Sequence, residues 1–83
     1  MYFVYILQSE EEGRFYVGMT GDVERRLKEH NRWKSKSTKG YRPWKLMKVE
    51  EFDKRSDARI REKYLKGGSG KELIKYWFHS STG

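Results

Sequence analysis

The sequence predicts an α+β fold in which a small sheet packs against helices in the order ββαβαα. Two short runs of β-branched and aromatic residues, 2–7 and 14–18, are separated by polar residues and indicate a hairpin. A helical segment follows, and a third strand-like run covers 44–52. Two further helical segments complete the chain. Three short strands make only a small sheet, against which the helices must pack.

Composition limits the chain to one domain. Its 83 residues leave room for a single hydrophobic core, and the 16% of aromatic residues occur in short runs that can fill it. The chain has no cysteine, which excludes disulfides and thiolate zinc sites. No apolar run approaches the roughly 20 residues of a membrane span, and the first residues lack the features of a signal peptide. We therefore expect a soluble, cytoplasmic protein with no membrane partner.

A basic excess points to polyanionic partners. The chain carries 19 Lys and Arg against 12 Asp and Glu, a net charge of +7, and nucleic acid is the commonest partner of such a chain. The stretch 32–48 has no acidic residue, and its cations and aromatic rings suit phosphates and exposed bases. The residues expected to contact nucleic acid are Arg32, Trp33, Lys34, Lys36, Lys39, Tyr41, Arg42 and Lys45. The alternative is a solvated charged loop with Trp44 in the core.

Two tyrosines of the predicted hairpin are candidate site residues. Tyr5 and Tyr16 lie on neighbouring strands, and a suitable register would place both hydroxyls on one face of the sheet. Half-buried tyrosines are also ordinary strand residues, so the pattern alone leaves both interpretations open.

The first helix is predicted over 22–32. Asp22 is a candidate N-cap, and an apolar i, i+4 stripe begins directly after it. The same spacing relates Arg26 and His30, whose side chains can point together into one cleft. Alternatively, Arg26 is a solvated charge and His30 is a helix-end residue near the negative end of the helix dipole.

Glu62 is a carboxylate on the face that the second helix should bury. It lies four residues after Ala58 and three residues before Leu65, and a buried carboxylate needs a partner. The alternative is a surface i, i+4 pair with Lys66, which is common on charged helices and contributes only a few tenths of a kcal/mol.

Capping residues and helix breakers predict where the last two helices begin and end. Ser56 is a candidate N-cap for the second helix, which the double glycine after Lys66 would end. A last short helix is predicted over 72–79, and residues 80–83 should fray. We therefore expect one domain over 1–79.

Five motifs in the right order resemble the GIY-YIG nuclease superfamily. Its signature is a triplet that ends in Tyr, a second triplet Tyr-Ile-Gly farther along, and then a helix that bears an Arg. The matching segments are Phe3-Val4-Tyr5, Tyr16-Val17-Gly18, the helical segment 20–30, and the segments 39–46 and 61–66. The last two closely resemble the small, uncharacterised single-domain bacterial branch of the superfamily.

The resemblance implies a three-stranded antiparallel sheet flanked by helices. It also implies an endonuclease that hydrolyses phosphodiester bonds in DNA, in preference to RNA, with structure-selective or weak sequence specificity. One divalent metal, magnesium or manganese, would be held weakly without substrate, because a single carboxylate leaves most of its shell to water and phosphate. The oligomeric state is left open between a monomer and a weak dimer.

The positions that function in the family fall on Tyr5, Tyr16, Arg26, His30 and Glu62. The resemblance implies that Tyr16 activates the attacking water with the assistance of Tyr5, and that Glu62 binds the metal. Arg26 would stabilise the extra negative charge on the phosphate, and His30 would relay a proton or orient the phosphate. A phenol with an ordinary pKa near 10 needs a nearby cation for this work at pH 7.

The chain departs from the family pattern at three positions, of which the first should matter little and the other two motivate other functions. Phe3 stands where many members have Gly, Met19 replaces a Lys or Ser, and the Asn near the end of many members has no counterpart, since Asn31 is the chain's only asparagine. A noncatalytic nucleic-acid-binding module that retains the fold is therefore the second hypothesis. A third is docking of the basic face on an acidic protein.

Overall fold

The computed structural model describes residues 1–10, 14–32 and 43–79. The elements in chain order are β1 (Tyr2–Ser9), β2 (Phe15–Thr20), α1 (Val23–Asn31), β3 (Trp44–Phe52), α2 (Arg55–Lys66) and α3 (Gly68–His79). The three strands form one antiparallel sheet with the spatial order β2-β1-β3. The predicted fold class, element order and bounds of the third strand are confirmed.

The central strand β1 is buried on both faces of the sheet. Four consecutive residues, Val4 to Leu7, are each 2% exposed or less. Val4 and Ile6 face α2 and α3, where they pack with Ala58, Leu65 and Ile74. Tyr5 and Leu7 face the other side, where they pack with Trp44 and with Val23 and Leu27 of α1. Helices therefore cover both faces, which explains why β1 is a continuous apolar run instead of an alternating one.

A β-bulge divides β3. Ile6 pairs with Lys48 whereas Leu7 pairs with Leu46, so one extra residue, Met47, lies between the two pairings. The extra residue reverses the alternation of side chains along the strand. Trp44 consequently packs on the tyrosine side of the sheet, while Phe52, eight residues later, packs on the opposite side.

Asn31, at the end of α1, holds the start of β3. Its side-chain oxygen accepts a hydrogen bond from Trp44 N at 2.7 Å, and its side-chain nitrogen donates to Trp44 O at 3.2 Å. The amide thus takes the place of a neighbouring strand at the sheet edge. At the other end of α1, Asp22 is the N-cap, as predicted, and accepts from Arg25 N at 3.1 Å.

Two predicted helix starts are wrong. The second helix begins at Arg55, with Lys54 as a cap that makes no side-chain hydrogen bond, so Ser56 lies inside the first turn. The last helix begins at Gly68 and not at Glu72. Gly70 explains this early start, because a Cβ there would lie 2.6 Å from the Leu65 carbonyl carbon, and only glycine permits so close an approach between the helices.

Part of the predicted nucleic-acid surface lies outside the described residues. These positions are Trp33, Lys34, Lys36, Lys39, Tyr41 and Arg42, and the tail 80–83 also lies outside. The two described members of the set, Arg32 and Lys45, are exposed. Over the described ranges, no helix is both long enough and apolar enough to cross a membrane.

Candidate active site

The site is built around the phenol of Tyr5. Tyr5 pairs with Gly18 across the β1–β2 ladder, and its ring lies over the bare glycine backbone. A Cβ at position 18 would collide with the Tyr5 hydroxyl and lie 2.5 Å from its Cζ. Gly18 therefore provides the space for the ring, a role that could be recognised only once the strand register was known.

Side chains from α1 hold the Tyr5 hydroxyl from above. The hydroxyl oxygen lies 3.0 Å from Nε2 of His30, a residue with no exposed surface. The Arg26 guanidinium is near enough to Tyr5 for an interaction between them to influence the pKa of both groups. A guanidinium can only donate, so the phenol is the acceptor toward Arg26, whereas the direction of the Tyr5–His30 bond follows the tautomer of the imidazole. Arg26 and His30 thus converge on one phenol, as their spacing of four residues predicted.

Tyr16 lies beside this group on the same face of the sheet. Its ring centre is 4.8 Å from that of His30, in an edge-on arrangement, and 6.3 Å from that of Tyr5. Trp44 contacts its other side at 6.2 Å between ring centres. Whereas Tyr5 is buried, Tyr16 is partly exposed. The two phenols are therefore on one face, as predicted, but only Tyr16 is open to solvent.

Burial determines the protonation states of Tyr5 and His30. Burial raises the pKa of Tyr5 to about 12, although the nearby Arg26 opposes the shift. Burial, assisted by the positive charge of Arg26, lowers the pKa of His30 to about 4. Near pH 7 the phenol is therefore protonated and the imidazole neutral, so the hydrogen bond between them joins two uncharged groups.

Arg26 is held by a carboxylate on its own helix. Its Nη1 donates to Glu29 Oε1 at 2.8 Å, and this bond is the main reason why the pKa of Arg26 is raised above its ordinary value. The guanidinium is about one-third exposed, so it lies at the surface above the two phenols. It is a permanent positive charge in a position that an anion can reach.

Glu62 comes from α2 and has two cationic neighbours. Its carboxylate oxygens lie 3.4 Å from Arg59 Nη1 and 3.0 Å from Lys66 Nζ. The side chain is only 9% exposed, so the predicted burial and the predicted pair with Lys66 occur together. Glu62 is near enough to Tyr5 for its negative charge to contribute to the raised pKa of that phenol, and Lys66 Nζ lies 5.9 Å from the Tyr16 ring centre. Glu62 is therefore near the phenols through Lys66, although its helix packs on the opposite face of the sheet.

The donor set suits a hard divalent ion bound through a single carboxylate. Magnesium keeps several waters and needs only one or two protein carboxylates together with substrate phosphate. Within the described part of the chain, no group of three or more His, Asp or Glu side chains could hold a metal. Glu62 would therefore act as a lone protein ligand, with the Lys66 ammonium 3.0 Å from one of its oxygens.

Met19, one of the positions that differ from the family pattern, lies on the other face of the sheet. Met19 pairs with Val4 and packs against the core formed with α2 and α3. Because side chains alternate along a strand, it points away from the face that carries Tyr16. Its lack of a proton or charge therefore leaves the phenol cluster unchanged.

Comparison with known proteins gives the same assignment as the motifs. The profile of the GIY-YIG catalytic domain matches residues 1–76. This chain is a member of the GIY-YIG family. UPF0213 proteins from Haloquadratum walsbyi and Clostridium perfringens are 44% and 40% identical to it, over 78% and 80% of the chain and 73% and 71% of their own lengths. The solution NMR structure of a Bacillus halodurans UPF0213 protein matches with a TM-score of 0.55 and 33% identity, covering 93% of this chain and 85% of that one.

Contact between Tyr5 and Gly18 explains why two GIY-YIG triplets occur together. The first triplet supplies the ring, and the second supplies the residue without a side chain on which that ring lies. Neither triplet alone creates the site. Their spacing along the chain is therefore less important than the register that pairs them.

The Tyr5–Gly18 contact can be tested by a double-mutant cycle. Gly18→Ala should lower the free energy of unfolding by about 1–3 kcal/mol, because the new Cβ displaces the Tyr5 ring. In a Tyr5→Leu background the same change should cost clearly less, since the ring is absent. Urea denaturation measures all four proteins, and Gly21→Ala is the control, because a Cβ there meets nothing nearer than 3.9 Å. Equal costs in both backgrounds would contradict the contact.

Because His30 is buried, mild acid should lower the free energy of unfolding. Its pKa in the folded state lies below the ordinary value of 6.5, so unfolding takes up a proton once the pH falls below about 6.5. The free energy of unfolding should therefore fall between pH 6.5 and 4, by up to about 3 kcal/mol. His30→Gln should remove the part of this slope above pH 5, where carboxylates contribute little. His79→Gln controls for the other histidine, and a slope that disappears in it instead would refute the assignment.

Proposed function

We propose that this protein is a metal-dependent endonuclease that hydrolyses phosphodiester bonds in DNA with structure-selective or weak sequence specificity. The observation that carries the proposal is the grouping of Tyr5, Tyr16, Arg26 and His30 on one face of the sheet, with Glu62 linked to Tyr16 through Lys66. Membership of a nuclease family supports it independently.

The two phenols take different roles in this proposal. Tyr16 is partly exposed, so it can reach a water molecule, and as the phenolate, after its own proton has passed to solvent, it can accept the proton of that water. Tyr5 is buried, and its pKa of about 12 keeps it protonated, so it positions Arg26 and His30 and does not serve as the base. His30 has no exposed surface, so of the two roles inferred from the sequence, relaying a proton through Tyr5 suits it better than orienting the phosphate.

Arg26 stabilises the charge that develops on the phosphate. A pentavalent phosphate carries one more negative charge than the ground state, and a planar guanidinium can donate to two of its oxygens. In the free protein Glu29 occupies one side of this guanidinium. Substrate phosphate would share or replace that bond, and the interaction with Tyr5 would keep the group in position.

Glu62 is the residue that would hold the divalent metal. Magnesium or manganese bound there would supply positive charge against the phosphate oxygens. A single carboxylate gives low affinity in the absence of DNA, because the remaining ligands come from water and substrate.

The DNA itself would be held by basic residues around the site. Arg32 and Lys45 are exposed and lie at the two described ends of the basic stretch 32–48. A chain with a net charge of +7 attracts a phosphate backbone without reading its sequence. So small a domain leaves little surface for base contacts, which favours recognition of substrate shape.

Cleavage assays on branched, flapped and single-stranded DNA test the activity. With Mg²⁺ or Mn²⁺ we expect the wild type to cut, and Arg26→Ala or Tyr16→Phe to be about 10²–10³-fold slower, since each change removes charge stabilisation or the proton acceptor. Glu62→Gln should lose metal-dependent cutting. Arg25→Ala is the matched control, because this neighbouring arginine is 77% exposed and shares the same helix. Equal rates for wild type and the Arg26 and Glu62 variants would mean that a contaminant does the cutting.

A noncatalytic nucleic-acid-binding module is the second candidate, and the ion pairs on Glu62 favour it, because they leave neither carboxylate oxygen free. It predicts binding without cleavage. Fluorescence anisotropy with a labelled DNA should show affinity falling well over tenfold between 50 and 200 mM salt, if about four phosphates are contacted. A flat salt dependence would count against both candidates, whereas docking on an acidic protein predicts no binding to nucleic acid at all.

A further inference from the structure

Lys66 lies between two of the proposed site residues. Its ammonium is 3.0 Å from Glu62 Oε2 and 5.9 Å from the centre of the Tyr16 ring. The Lys66 side chain is half exposed, whereas that of Glu62 is 9% exposed. An accessible cation is therefore paired with a carboxylate that is nearly buried.

We infer that Lys66 competes with the divalent metal for Glu62, so that the metal binds only when the ammonium leaves the carboxylate. This inference rests on the proposed function, in which Glu62 is the metal ligand. It makes Lys66 a positioning residue that acts through Glu62 and sets the affinity of the metal site.

The chemistry of the pair supports competition. A nearly buried carboxylate needs a counterion, and without metal the Lys66 ammonium provides one. Lysine carries a compact point charge on a flexible stem, so it can leave without disturbing the helix. Arg59 is the weaker partner, because its Nη1 lies 3.4 Å from the other carboxylate oxygen and its side chain is 59% exposed.

Competition would also couple the binding of metal and DNA. When a metal displaces Lys66, the released ammonium needs an anionic partner, and a phosphate near Tyr16 is within its reach. Each ligand would therefore favour the other, since coupling free energies between two ligands are reciprocal. The free protein would therefore bind metal poorly for two reasons. The Glu62–Lys66 ion pair must first break, and the protein offers few ligands.

Titration of DNA-free protein with Mn²⁺ tests the inference without any measurement of cleavage. Paramagnetic broadening of amide signals in ¹⁵N NMR spectra locates the ion and gives its affinity even when binding is weak. Lys66→Gln should bind Mn²⁺ about three- to tenfold more tightly, because it removes both a competing ion pair and a repelling charge. Lys63→Gln, the matched control, should change the affinity by less than about twofold, since adjacent helix positions do not face each other.

The outcomes separate this inference from the proposed function. Unchanged or weaker Mn²⁺ binding in Lys66→Gln, at a site that Glu62→Gln abolishes, would overturn the role of Lys66 and leave the nuclease proposal intact. Broadening that persists in Glu62→Gln would overturn the metal ligand itself. No broadening near α2 in the wild type or in Lys66→Gln would overturn both. The dispersion of the NMR spectrum reports in each case whether the variant is folded.

Discussion

The packing of one aromatic ring on one glycine determines the geometry of the whole site. Tyr5 belongs to the central strand, and its ring fills the space above Gly18. Its hydroxyl is hydrogen-bonded to His30 of α1 and lies near Arg26 of the same helix. One side chain therefore fixes the hairpin relative to the helix. Glycine inside a strand weakens it, so its presence at position 18 is best explained by the ring that lies on it.

The charged residues of the site form ion pairs with neighbours on their own helices. Arg26 pairs with Glu29 three residues later, and Glu62 pairs with Lys66 four residues later. Such pairs compensate partly buried charges without help from the rest of the fold. The site can consequently be assembled before any substrate arrives, and in the proposed function the incoming ions replace these internal partners.

Sequence patterns predicted what depends on local periodicity. The start of β3 follows from Pro43 directly before it, and the shared face of Tyr5 and Tyr16 and the burial of Glu62 follow from spacings of two or of three and four residues. Features that depend on contacts between elements were missed. The bulge in β3, the Asn31 clamp and the early start of α3 leave no mark in local composition, because each is decided by the partner strand or helix. Ser56 failed as a cap for the related reason that cap propensity alone does not locate a helix start.

Glu62 also shows why an ordinary interpretation and a functional one need not exclude each other. An i, i+4 pair of Glu and Lys is common on exposed helices, and the pair with Lys66 has that spacing. Surface pairs of this kind expose both partners, whereas here the carboxylate lies on the buried face with Ala58 and Leu65. The stabilisation that such a pair contributes is small, so helix stability alone does not explain a carboxylate in that position. Its location beside a phenol cluster gives a reason for the burial that the helix itself does not.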